Sequence, residues 1–222
     1  MIYARFRRRA SSSEQVAELH TALIERLSGA LLGTVAEIHP AQVYFESENQ
    51  FSGAADLTPS FADGKFRGAI SYCPRAAINA DHGMFDDVLT VCIPESVGTY
   101  RIFVEELFRP VASAFEVYRA GIYPDEDLDL DDFDQIADLS QRTGKDVDGR
   151  DGVFRVTPAN AFDDQLCQRA FGLNPENVVR RVAPHAQFAD VIDGRAFFVV
   201  TSRIVGRKDL IALDRTIRRA LT

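Results

Sequence analysis

Basic side chains are absent from one long stretch of this 222-residue chain: no Lys or Arg occurs between Arg119 and Arg142. Cysteine is scarce too. Cys73, Cys92 and Cys167 are odd in number, widely spaced and form no CxxC pair, which argues against a disulfide framework, a zinc site or a dithiol redox centre. A reducing, cytoplasmic setting is therefore expected. No apolar run reaches the roughly 20 residues that a membrane span needs, because Glu18, His20, Glu25 and Arg26 punctuate 10–33. A signal peptide is equally poorly matched, since Ser11, Ser12, Ser13 and Glu14 follow the basic opening where an apolar core should stand. The expectation is a soluble chain with a mature N-terminus. Also missing are GxxxxGK[ST], GxGxxG after a strand and GxSxG, so the phosphate-cradling loops of nucleotide enzymes and the nucleophile elbow find no match.

The stretch without basic residues is dense in acid. Asp125, Glu126, Asp127, Asp129, Asp131, Asp132, Asp134 and Asp138 supply eight carboxylates; the whole chain has 33 acidic and 25 basic residues, so the remainder is balanced. Neighbouring carboxylates there lie within the screening length of about 8 Å and create a collective field. Two readings follow. The run can be a solvated face or an internal partner for the basic C-terminal segment, where seven basic residues from Arg195 onward oppose Asp209 and Asp214. Alternatively, with Leu128, Leu130, Phe133, Ile136 and Leu139 interleaved, it can steer a basic partner by its field and hold it by apolar contact. The second reading makes Asp125, Glu126, Asp127, Asp129, Asp131, Asp132 and Asp134 the partner-binding residues.

Other constellations fit less well. Asp125, Asp127 and Asp129 have the opening spacing of a calcium loop, but Leu130 stands where its glycine belongs and Ile136 where its bidentate acid belongs. Neither metal nor cofactor is expected. Cys73 and His82, with Asp81 or Asp86 as an orienting acid, form the one thiol–base pair close in sequence; a cysteine within an apolar strand more commonly behaves as a small hydrophobe. His20, His39 and His185 are scattered and read as packing residues. Arg5, Arg7, Arg8 and Arg9 lack a nucleic-acid-binding motif and are expected in ion pairs, so neither a nucleic acid nor a membrane is the expected partner. The oligomeric state is open.

Local signals describe an α+β protein. Ile2 to Phe6 suits a strand, and Ser11 with Glu14 reads as a capping box before a helix carrying Val16, Leu19, Leu23 and Leu27. Strands are expected at Val43–Ser47, Arg67–Cys73 and Val88–Ile93, then a helix capped by Ser96. Pro110 should kink or end that helix, or start another reaching Ala114 or Phe115. Phe133, Ile136 and Leu139 suit a short helix stopped at Gly144, and Lys145–Gly152 a loop. Val153–Val156 reads as a strand and Thr157-Pro158 as the start of a helix ending at Gly172; Asn174-Pro175 starts the next. Asp193-Gly194 marks a tight hairpin, and Lys208–Leu221 a terminal helix. The mixture without strict alternation favours a mixed or mostly antiparallel sheet with helices packed on it. It is expected as one domain over 1–222, or as two halves, 1–123 and 152–222, joined by the acidic segment 124–151.

In this layout, the chain resembles the immunity proteins that bacteria encode beside polymorphic or contact-delivered toxins. The stretches compared are Tyr3-Ala4-Arg5-Phe6 with its capped helix, Phe51-Ser52-Gly53 leading to Ile70-Ser71-Tyr72-Cys73, and the acidic segment. The resemblance implies a non-enzymatic protein that neutralises a cognate basic toxin, or another basic protein, with acidic side chains. An enzyme whose site is assembled only in three dimensions is the alternative, and a structural or assembly protein a third.

Overall fold

The computed structural model describes residues 2–30, 44–45, 53–56, 66–75, 85–124 and 126–222; the side chains of 28–30, 44–45, 53–56, 126 and 127 lie outside the description. His82, Asp81, His39, Gly33 and Asp125 therefore fall outside the described residues, and with them the Cys73–His82 pairing.

Among the described residues nine strands form one sheet: β1 (Ile2–Arg9), β2 (Tyr44–Phe45), β3 (Gly53–Asp56), β4 (Arg67–Tyr72), β5 (Asp86–Ile93), β6 (Arg119–Tyr123), β7 (Ala159–Phe162), β8 (Phe188–Ile192) and β9 (Arg195–Val199). Their order is β2-β3-β4-β5-β1-β6-β7-β9-β8, and every neighbouring pair is antiparallel. The expected α+β class is what the chain adopts. Because side chains alternate across a strand, β1 sends Ile2, Ala4 and Phe6 to one face and Tyr3, Arg5, Arg7 and Arg9 to the other. The first face is largely apolar. It carries Ile70, Leu89, Val91, Ala120, Ile122, Ala161 and Phe197 beneath α1 (Val16–Ala30), α2 (Val97–Ile102) and α3 (Phe108–Ala114). On the second face a separate core joins Phe162, Ala196 and Phe198 to α5 (Asp164–Phe171), α6 (Pro175–Val182) and α7 (Arg207–Leu221). No described helix is long and apolar enough to cross a membrane.

Several local signals act where they stand. Ser96 Oγ accepts from the Thr99 amide and caps α2, and Asn174 does the same for α6 through Asn177. Asp193 and Gly194 take φ of 51° and 72°, the positive values a two-residue hairpin turn requires. Pro110 neither ends nor kinks the chain out of helix. It lies in the first turn of α3, where its missing N–H is harmless, and a π-turn over Phe103–Leu107 joins α2 to α3, with the Phe108 amide donating five residues back to Phe103.

Two expectations are corrected. Val153–Val156 is not a strand: both valines are buried, but side chains replace a ladder, with Arg218 donating to the carbonyls of Val153 and Phe154 and Asp214 accepting from the Val156 amide at 2.7 Å. Thr157-Pro158 starts no helix. Asn160 accepts from the Thr157 amide at 3.0 Å and donates to its carbonyl at 2.6 Å, so the chain turns into β7, and Asp163 caps α5 instead. The capping box at Ser11 is half realised: Glu14 reaches back to the Ser11 amide at 3.2 Å, but the helix begins at Val16.

The Glu14 carboxylate has other partners, Arg8 and Arg75. Partial burial works against its charge, but the hydrogen bond and charge of Arg8 outweigh that and hold its acid below the ordinary carboxylate value. A carboxyl depressed on folding stabilises above its unfolded pKa and loses that contribution as pH falls through the folded value. Thermal unfolding followed below about pH 4.3 is expected to show a shallower acid loss in Glu14→Gln than in the parent. An identical acid slope would remove Glu14 from the account.

Candidate functional site

The acidic segment is a helix, α4 (Glu126–Thr143), longer than the short one expected. Acids crowd its N-terminal half, where the helix dipole favours negative charge, and Gly144 ends it in the left-handed conformation at φ 68°. Its inner side buries Leu128 and Asp132, while Leu130 and Phe133 point outward, 62% and 65% exposed.

The helix is fastened by the arginines of other elements. Asp129 accepts from Tyr3 and lies 3.5 Å from Arg5; Asp132 binds Arg155 through both oxygens; Asp131 pairs with Arg207 at the start of α7. Asp138 pairs with Arg142 one turn along, both ends exposed, an arrangement worth only tenths of a kcal/mol. The acidic run is thus no free polyanion, and the reading as internal partner of the C-terminal segment is realised in Asp131–Arg207. Of the seven residues expected to meet a partner, Asp132 is 4% exposed and faces its own arginine, and Asp129 is half-buried against β1. That pairing removes both from an outer contact. Asp131 and Asp134 remain exposed. Glu126 and Asp127 begin the helix.

Beneath α4, β1 runs beside two adjacent acids of β5. Asp86 faces the same side as Arg7 and Arg9, and Asp87, next in the strand, faces the apolar side with Arg8 directly opposite. Asp86 accepts from Arg7 at 3.0 Å, from Tyr118 at 2.5 Å and from Arg150 at 3.0 and 2.8 Å. Arg150 comes from the loop after α4, so Asp86 ties that loop to the sheet. Asp148 of the same loop accepts from Arg119 at 2.5 Å, and its carbonyl accepts from Arg7 at 2.6 Å. Burial opposes the charge of Arg119, yet Asp148 and the neighbouring tyrosines bind its proton more firmly than in a free arginine. Asp87 accepts two bonds of 2.7 Å from Arg75, one of 3.1 Å from Arg8 and one of 3.0 Å from the Cys73 amide. Sequence reasoning gave Asp86 a possible role beside His82 and paired neither acid with an arginine. The usable signal was Asp86-Asp87 opening an apolar strand, a costly place for charge unless cations face it from both sides.

A groove of about 410 Å³ runs between α4 and the sheet, lined by Phe133 and Ile136 of α4, Val88 of β5, Arg5 and Arg7 of β1, and Asp129, Asp146 and Asp148. It mixes both charges with an exposed aromatic wall. Two of the three thiols are disfavoured as nucleophiles: burial pushes Cys73 up and Cys167 up to about 12, against the thiolate form. Among the described residues, no group of three or more His, Cys, Asp or Glu is placed to hold a metal ion.

No family model matches the chain, and no curated protein does either. Its structure is similar to Pseudomonas aeruginosa T6SS protein PA0821, with a TM-score of 0.54 and 12% identity over 99% of this chain and 75% of that one. At that identity the likeness concerns the fold alone.

Proposed function

We propose that the chain is a non-catalytic binding protein that captures a basic partner protein, a secreted toxin domain being the reading favoured, through the outer side of α4. The observation that carries it is the placement of Leu130 and Phe133, two large apolar side chains mostly in water, on a helix whose exposed positions also include Asp131, Asp134 and Asp138. Exposed apolar groups of this size mark contact sites when polar residues rim them. Asp134, which has no ion-pair or hydrogen-bond partner among the described residues, and the screened Asp131 and Asp138 would steer a cation-rich surface, while Phe133 and Leu130 supply the contact that survives salt. The fold likeness to a T6SS protein agrees with this reading in kind and identifies no partner.

The test uses the product of the adjacent reading frame, co-expressed and titrated against the purified chain. Leu130→Ala with Phe133→Ala is expected to weaken binding at least 30-fold, about 2 kcal/mol, the scale of one hot-spot anchor. Their own stability should stay within about 0.5 kcal/mol of the parent, as for exposed positions. Asp134→Lys should act mainly by slowing association, an effect that fades with added salt. Undiminished affinity in the double variant would reject α4 as the contact.

A further inference from the structure

We infer that the groove between α3 and the β8–β9 hairpin is a binding site for a small aromatic or branched aliphatic monocarboxylate. It lies on the first face of the sheet, opposite α4, and is independent of the reading above. Its volume is about 260 Å³. A cavity of roughly 150 Å³ lined by apolar side chains already takes up benzene, so the space suits one ring or branched chain plus a carboxylate.

The walls are apolar. Val104, Phe197 and Val199 are buried beneath it, and Phe188, 41% exposed, stands at its mouth. Phe188 and Phe197 meet edge to face, ring centres 5.9 Å apart, which fixes the mouth aromatic at no cost to the ligand. The rim is polar and carries both signs. Glu105 is paired with Arg101, whose Nε lies 3.0 Å from both of its oxygens. Arg109, in the first turn of α3, borders the groove and has no ion-pair or hydrogen-bond partner among the described residues. Gln187 is held by its Oε1, which accepts from the Ser202 amide at 2.9 Å. That bond leaves its Nε2 as the free donor end. An unspent guanidinium and an oriented amide N–H at one edge of an apolar slot recognise a carboxylate joined to an apolar body, and a neutral or cationic head group would leave Arg109 without its counter-charge.

The experiment titrates the whole chain with phenylacetate and with phenylacetamide, following both by saturation-transfer NMR and calorimetry. Phenylacetate is expected to bind saturably and at least about tenfold more tightly than the amide, the scale of one charge-assisted hydrogen bond. Arg109→Gln should make the two ligands equal, Arg109→Lys should restore part of the preference, and Phe188→Ala should weaken both. Equal binding of acid and amide by the parent, an acid preference that survives Arg109→Gln, or no saturable binding would overturn the inference. A peptide ending in a free Phe carboxylate that binds more than tenfold tighter than phenylacetate would also overturn it, by assigning the groove to a protein terminus.

Discussion

Replacing Asp87 with Ala is expected to remove about 3–5 kcal/mol of stability, the usual result of deleting one partner of a buried ion pair. Asp87 is 0% exposed and Arg75 4%, and the two exchange a bidentate pair of 2.7 Å bonds. Removing the carboxylate takes from the buried Arg75 its bidentate partner, leaving it the Cys73 carbonyl at 2.9 Å and Glu14 at 3.4 Å, takes one acid from Arg8, and leaves the Cys73 amide without its acceptor. A domain of this kind is stable by only about 5–15 kcal/mol, so the change removes about a fifth or more of the total. Urea unfolding gives the value directly. Adding Arg75→Met to Asp87→Ala should recover part of the loss, because an apolar side chain there asks for no counter-charge. A loss below about 1 kcal/mol, the range of exposed pairs, would mean that water already solvates these groups.

The second large effect belongs to the other face. Asp86→Ala is expected to cost a similar 3–5 kcal/mol, since it takes the carboxylate from Arg150, which is 2% exposed, and removes the acceptor of the buried Tyr118 hydroxyl. Its signature differs from that of Asp87. Arg150 belongs to the loop that follows α4, so amide exchange should accelerate over 144–151 and the end of α4, where Asp146 accepts from the Arg150 amide at 3.0 Å. In Asp87→Ala the acceleration should appear instead around Cys73 and Arg75. The contrast tests the claim that two adjacent acids anchor opposite faces of one sheet. The helix that carries the proposed contact surface runs into this loop, so Asp86→Ala should also weaken partner binding without touching the partner. Uniform acceleration in both variants would show that neither acid anchors a particular segment.

Legibility followed distance along the chain. Phe133 and Leu130 were readable as apolar residues among acids, but whether they faced water depended on how α4 lies against β1. The strand at Val153–Val156 was misread because apolar alternation reports burial, and burial there is achieved with the side chains of Arg218 and Asp214 in place of a ladder. Asp129, Asp131 and Asp132 looked alike as members of one run; three different arginines separate them.

By itself, the sequence determined what neighbours along the chain enforce: the caps at Ser96 and Asn174, the turn at Asp193-Gly194, the stops at Gly144 and Gly172, and the two-sided alternation of β1. These depend on backbone dihedrals and hydrogen bonds spanning a few residues. Only the tertiary structure decided which charges cancel, because Coulomb attraction follows separation in space. Asp131 and Arg207 are 76 positions apart in the chain, and Asp86 and Arg150 are 64; folding turned both into contacts, and left Leu130, Phe133 and Asp134 facing outward.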